Sequence, residues 1–467
     1  NAYNSGAAIV EASAGDDLKV QIQRFDNNSG AGVEIRNNTN GISVLKIPDS
    51  LDYLRLQRTT DILGVNASTT FSDLAWNQAD EVDTDSFSFS PTDSDITLKG
   101  GKDKFFLVTA NVNFEDTSGG GVRQNYEMRL TLDGSEIPGT RTTTYLRYDN
   151  NVIKGTTQYV GLIKKTAIGD QTLNVEIRNE STAGSQTQIN GGQTAIAIAA
   201  MNDGVDVISL TNTSAQTLTT SQSVINFDEQ IFASSSAFTH STTSNPSRIT
   251  VNVDEDYLFF STAYTSRTSG TARDVPRFDW RTDGSAVTTY GGHGSFNRGA
   301  QGSEDTYTSG SAGGLIFNGL TDGQYVEILQ SDETTGTPNA EFADDGVALQ
   351  AVVLNDKFFG TDVVVSATGT QTLSPDIPST GVYLGGAFVI AENNASRNVT
   401  NISITESGSI DGSSGLANIK LYYDLDTSNP YDCSSESYSG GESQFGSTDT
   451  NGFSGANGVS SFTGTVG

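Results

Sequence analysis

Two histidines, His240 and His293, and one cysteine, Cys433, are all the imidazole and thiol that this 467-residue chain has for nucleophilic, general-base or transition-metal chemistry. The short motifs that organise such chemistry are missing: there is no Gly-x-Ser-x-Gly turn, no His-Glu-x-x-His pair and no Gly-x-x-x-x-Gly-Lys phosphate loop. Carboxylates are plentiful, but no pair stands in the apolar setting that would raise one pKa for glycoside hydrolysis. What remains is hard-cation chemistry. The doublets Asp83/Asp85, Asp93/Asp95, Asp254/Asp256 and Asp424/Asp426, with Asp344-Asp345-Gly346, could supply oxygen ligands to Ca2+. None has the spacing of a known calcium loop, and a solvated turn is the competing reading of each. No enzymatic activity is expected. No cofactor is expected; Ca2+ is the one exception the residues allow, with Asp83, Asp85, Asp254, Asp256, Asp344 and Asp345 as its candidate ligands.

Composition narrows the class. Lys and Arg number 26 against 56 Asp and Glu, a net charge of −30 that repels nucleic acid and anionic membranes. The longest apolar run, Ala195 to Met201, is far too short to span a bilayer. Glycine is abundant at 50 residues, and short alternating segments recur every eight to twelve residues between Gly, Pro, Asn and Ser turns, the pattern of an all-β protein. Cys433, in the run Asn-Pro-Tyr-Asp-Cys, is odd in a chain otherwise composed like an exported protein. It points to a bridge with a cysteine outside this chain, against the alternative of a free half-buried thiol.

The elements that would position any site come from repetition. "AAIVEASAGDDLKVQI" from Ala7, "GLIKKTAIGDQTLNVEI" from Gly161 and "GLIFNGLTDGQYVEI" from Gly314 align, placing Val20, Val175 and Val326 at offsets of 155 and 151 residues. Each is followed by a Gly and a small-apolar strand, "GISVLKI", "GQTAIAIAAM" and "GVALQAVVL". An upstream half exists only in the second and third copies, where "FFLVTANVNF" matches "YLFFSTAYTS". In the first of these Phe106, Val108, Ala110, Val112 and Phe114 alternate as a half-buried strand, and the expected core-facing equivalents are Leu258, Phe260, Thr262 and Tyr264. Asp133-Gly134 and Asp283-Gly284 read as hairpin turns, because glycine accepts the positive φ that primed turns need.

These strand and turn motifs resemble the jelly roll of the tumour necrosis factor and complement globular-head superfamily. They are carried by Phe106 to Val112, Leu132 to Ser135, Leu162 to Val175 and Gly192 to Met201, and again by Leu258 to Tyr264, Asp283 to Ser285, Leu315 to Val326 and Gly346 to Leu354. The resemblance implies two-sheet sandwiches, self-association and binding in place of catalysis. The last hundred residues read as an immunoglobulin-like sandwich, and their end resembles a repeat of very large bacterial surface proteins, in which a further Cys-containing strand follows.

The expected architecture is therefore all-β, tandem jelly-roll sandwiches plus an immunoglobulin-like one. Residues 1–50 read as the back half of a jelly roll, 51–204 and 205–357 as two whole ones, and 358–467 as the third kind of module, incomplete at its C-terminal end. Phe358 and Phe359 either begin that module or anchor an interface. The short link from Met201 to Val207 favours copies packed side by side over freely jointed beads. The expected function is a segment of an extracellular surface fibre or giant adhesin, whose partners are copies or neighbouring modules, with a glycan or cell-surface ligand as a further possibility. A phage fibre or head-decoration protein on the virion surface is the alternative, and a carbohydrate-binding or polysaccharide-degrading module the third.

Overall fold

The computed structural model of the chain describes residues 44–47, 51–64, 70–116, 123–147, 153–179, 187–267, 273–286, 297–298, 307–332, 340–359, 363–371, 380–382, 385–392, 398–406, 412–425 and 441–466. Two units result, Asn1–Phe359 and Gly360–Gly467. Cys433, His293, Asp426 and nearly all of the 1–50 segment, including Val20 and Ile22, lie outside the described residues.

The first unit contains two sandwiches with the same strand order. In sandwich one the main strands are β1 (Tyr53–Arg58), β2 (Ile96–Leu98), β3 (Phe105–Asp116), β4 (Arg123–Leu132), β5 (Thr142–Arg147), β6 (Ile153–Lys164), β7 (Gln171–Asn179) and β8 (Thr194–Ala200). One sheet runs β6-β3-β8-β1 and the other β5-β4-β7-β2, all antiparallel. Sandwich two repeats this with β9 (Val207–Thr211), β10 (Ile249–Val251), β11 (Glu255–Arg267), β12 (Pro276–Thr282), β13 (Tyr307–Leu320), β14 (Tyr325–Asp332) and β15 (Ala340–Val353). Its sheets run β13-β11-β15-β9 and β12-β14-β10. Apart from the β4–β5 hairpin, which lies within one sheet, strands adjacent in sequence alternate between the two sheets, which is the connectivity of a jelly roll. The fold class is thus all-β, built from jelly-roll β-sandwiches.

Each sandwich closes on its own apolar core. Phe106, Val108, Ala110, Val112 and Phe114 of β3 face that of sandwich one, as their alternation predicts, beside Trp76, Tyr126 and Ile198. In sandwich two the expectation is corrected. The core-facing residues of β11 are Tyr257, Phe259 and Ala263, while Leu258, Phe260, Thr262 and Tyr264 lie on the opposite face. A shift of one residue sends every side chain to the other face of a strand. The alternation did not reveal it because both faces of β11 are buried.

The second buried face is explained by the contact between the sandwiches. Leu107, Val160, Leu162, Ala199 and Met201 of sandwich one join Leu258, Phe260, Val352 and Leu354 of sandwich two in a third apolar cluster. Val205 and Val207 of the link belong to it, and Phe105 and Phe232 meet with ring centroids 5.0 Å apart. The copies are packed side by side. Phe358 sits in a one-turn helix, Asp356–Phe359, and anchors into this cluster, whereas Phe359 is exposed. Lys357 pairs with Asp206 at 3.0 Å, and Asn202 donates to the Lys357 carbonyl, closing the link onto the end of sandwich two.

In the second unit the described strands pair in antiparallel ladders, Val363–Gln371 with Gly385–Glu392, Val399–Thr405 with Val459–Val466, and Tyr422–Tyr423 with Ser443–Gln444. Tyr423 turns inward against Phe445 while its neighbour Tyr422 is exposed, the opposite-face placement that adjacent strand residues require.

Candidate functional site

The repeat motifs meet in space as one clasp per sandwich. Asp133 and Gly134 have φ of 50° and 76°, and Asp283 and Gly284 of 45° and 77°, the paired left-handed conformation of a type I′ hairpin turn. The Asp133 carboxylate accepts the Thr172 amide at 2.8 Å and the Gln171 side-chain amide at 2.8 Å. The Gln171 carbonyl oxygen in turn accepts the Thr166 amide at 2.7 Å. Sandwich two repeats the device: Asp283 accepts from Tyr325 N at 3.0 Å and from Gln324 at 2.7 Å, and Gln324 accepts from Thr321 N at 2.8 Å. Hydrogen bonds from Thr172 and Gln171 hold the Asp133 carboxyl below the usual carboxylate range. The Asp-Gly turn and the Gly-Asp-Gln-like segment, separate in the sequence, are thus two halves of one tie.

A second shared device is a cross-strand ion pair. Arg129 donates to Glu176 at 2.7 Å, and Arg281 at the equivalent place donates to Glu327 at 2.7 Å. Glu327 is 1% exposed and also accepts from Ser247 at 2.6 Å and Arg248 at 3.2 Å. Burial pushes its carboxyl up, but Ser247, Arg281 and Arg248 outweigh it and hold the group below its ordinary value. In sandwich one the Arg129 and Arg178 guanidinium carbons stand 3.9 and 4.4 Å from the Phe71 ring centroid, a cation–π stack that has no sequence signature.

The chemistry-bearing residues named from sequence are dispersed. His240 has Nδ1 2.9 Å from the Arg248 carbonyl and Nε2 3.2 Å from that of Phe227, so whichever ring nitrogen carries the proton donates to a backbone carbonyl. Asp254 caps the Asp322 amide at 2.7 Å and Asp256 the Gly319 amide at 2.6 Å. Asp93 accepts from Ser94 N, and Asp95 from Asn174 at 2.7 Å. Asp345 has a φ of 55° and is exposed; the side chain of Asp344 lies outside the described residues. Asp83 differs: burial, then the neighbouring carboxylates of Asp52 and Asp85, push it above the ordinary range. Among the described residues no three His, Cys, Asp or Glu side chains converge as a metal-ion site.

The inter-sandwich contact also has a polar part, which sequence reasoning missed. Tyr264 Oη donates to Glu127 Oε1 at 2.5 Å, and the other Glu127 oxygen pairs with Arg178. Thr262 donates to the Gly139 carbonyl at 2.5 Å, and the Gly139 amide to the Asp345 carbonyl at 3.1 Å. Only glycine fits position 139: its φ is +73°, and a Cβ there would land on that of Ala348. Gln350, 5% exposed, reaches the edge strand β6. Its Oε1 accepts the Leu162 amide at 2.7 Å, while Nε2 donates to the Leu162 carbonyl at 2.9 Å and to Ser209 Oγ at 3.0 Å.

No family model and no curated protein matches the chain. Solved structures do. Murine APRIL is 12% identical, with 32% of this chain and 100% of that one covered and a TM-score of 0.23. The globular domain of a zebrafish complement 1qA protein is 12% identical over 32% of this chain and 98% of its own, with a TM-score of 0.23. Eiger TNF from S. frugiperda is 12% identical over 33% and 94%, with a TM-score of 0.24. A tandem CBM22 fragment of Paenibacillus barcinonensis Xyn10C is 10% identical over 67% and 92%, with a TM-score of 0.15. The jelly-roll assignment rests on strand order and pairing.

Proposed function

We propose that this chain is a non-enzymatic structural segment of an extracellular surface fibre or giant adhesin, assembled from β-sandwich modules. The supporting observation is the commitment of its chemistry-bearing side chains. His240, Asp254, Asp256, Glu127 and Glu327 are engaged in turns, caps and buried pairs, so they serve geometry. Two sandwiches locked through a shared cluster make a stiff module suited to holding distance and presenting loops. The charge of −30 keeps such a surface hydrated and self-repelling outside its specific contacts. Its partners are neighbouring modules or copies, with a glycan or cell-surface ligand taken by the loops, and Cys433 bridges to a cysteine outside this chain. Calcium titration tests the single cofactor that Asp83, Asp85, Asp254, Asp256, Asp344 and Asp345 could hold.

The deciding experiment is microscopy. Antibody against the purified chain should label the outside of intact producing cells, and negative-stain images should show the antigen in elongated surface structures. Label confined to the cell interior, or turnover of a polysaccharide by the purified chain, would overturn the reading; label on virions would transfer it to a phage fibre or decoration protein.

A further inference from the structure

The edge of β6 poses a problem that the fold solves in an unusual way. Among the described residues this strand pairs with β3 alone, so on its other side alternate N–H and C=O groups meet no described strand, and an open edge invites foreign strands. At Leu162 one side chain from the other sandwich, the Gln350 amide, meets both groups of that open side, sharing the carbonyl with Tyr159 Oη, which donates to it at 3.2 Å. A carboxamide has the donor and acceptor of a peptide unit, so Gln350 acts as a strand one residue long.

The device runs in one direction. The core residues Ile196 and Ile198 of β8 correspond to Leu349 and Ala351 of β15, because Ile198 pairs with Val108 of β3 as Ala351 pairs with Phe259 of β11. Gln350 therefore corresponds to Ala197, whose methyl can do neither job. By the same register Tyr264 corresponds to Asn113, and Asn113 is bonded within its own sandwich to Thr156 and Asn190. Glu127 corresponds to Asp279, which pairs with Arg277 in its own sandwich at 2.8 Å. The face that receives an edge and the edge that is received are thus divided between the two described sandwiches. A contact between unlike surfaces can propagate when every copy carries both; these two sandwiches carry one half each.

We infer that the two sandwiches form one cooperative unit whose order and register are set by Gln350, acting as a positioning residue on the open edge at Leu162. Each sandwich carries its own reporter, Trp76 in one and Trp280 in the other. In the full chain, Trp76→Phe leaves Trp280 to follow sandwich two, and Trp280→Phe leaves Trp76 to follow sandwich one. The urea transitions of these two single-tryptophan chains should coincide. On the Gln350→Ala background they should separate, and the Leu162 amide should exchange its hydrogen about tenfold faster, the equivalent of one lost hydrogen bond. Gln350→Glu supplies a test that general destabilisation cannot mimic. At pH 8 an ionised carboxylate cannot donate to the Leu162 carbonyl, so the transitions should separate. At about pH 4.5 the protonated acid regains one donor and one acceptor and they should merge again, with the unsubstituted chain measured at both pH values as control. Separate transitions in the parent chain would overturn the inference. So would coincident transitions together with an unchanged Leu162 exchange rate in Gln350→Ala, or a Gln350→Glu chain whose coupling ignores pH.

Discussion

Removing the Glu327 carboxylate should weaken sandwich two by a predictable amount. In Glu327→Ala, Ser247, itself 4% exposed, loses the acceptor of its 2.6 Å bond, and an orphaned buried hydroxyl costs about 1–3 kcal/mol. Arg281 and Arg248 lose their partner too, but their side chains are 24% and 34% exposed and regain water, so each adds only about 0.5–1 kcal/mol. The expected loss is about 2–5 kcal/mol. Glu327→Gln keeps one acceptor oxygen for Ser247 and should lose about half as much. Both are measured by urea unfolding of the full chain followed at Trp280, whose strand neighbour is Arg281. Acidity adds a second reading. The folded-state pKa of Glu327 is depressed, so its contribution is complete above the unfolded value of about 4.3 and disappears as pH falls through the folded one. The gap between Glu327→Gln and the parent should therefore shrink below about pH 4. A gap that is independent of pH, or a Glu327→Ala loss under about 0.5 kcal/mol, would show that the buried ion cluster is not what holds β12, β14 and the Ser247 loop together.

Two further outcomes follow from the same reasoning. Asp83 is pushed up by burial and by Asp52 and Asp85, so its ionised form opposes folding above its raised pKa and the opposition vanishes below the unfolded value of about 3.9. Asp83→Asn should thus raise the unfolding midpoint at pH 7, with a gain that fades on acidification; a lower midpoint at pH 7 would refute the assignment. Asp133→Ala removes the acceptor for Thr172 and Gln171 and puts an alanine at a φ of 50°, for a loss of about 2 kcal/mol, and Asp133→Asn should recover much of it. Thermal melts of these variants and of Asp283→Ala should give matching losses, because the two clasps share their geometry.

How far the sequence could be read depended on how local each feature is. The clasp halves were visible because turn chemistry is local: Asp-Gly demands left-handed φ, and that demand is met at Asp133, Gly134, Asp283 and Gly284. Sandwich architecture was visible from repetition and alternation, which β3 obeys. Alternation failed on β11 for a physical reason. Tyr257, Leu258, Phe259 and Phe260 are all apolar or amphipathic, since one face meets the core and the other meets sandwich one, and a strand buried on both sides gives no period from which to choose its inner face. The Glu327 cluster was invisible because Ser247, Arg248 and Arg281 reach it from two other segments.

The contact between the sandwiches lay further still from view, since Leu162 and Gln350 are 188 positions apart and Glu127 and Tyr264 are 137 apart. One sign of it was nevertheless present. The strands "TAIAIAAM" and "GVALQAVVL" occupy the same place in the two copies, and they differ in character at a single outward position, Ala197 against Gln350. A lone glutamine between apolar neighbours reads as solvent-facing if the sheet has one wet side. If the outward face is also covered, the same residue must find a donor and an acceptor for its amide, and the open edge of another strand is a place that supplies both at peptide spacing. Differences between copies at outward-facing positions thus locate the contact that shared inward-facing positions conceal, because the core must be alike in every copy and the interface must not.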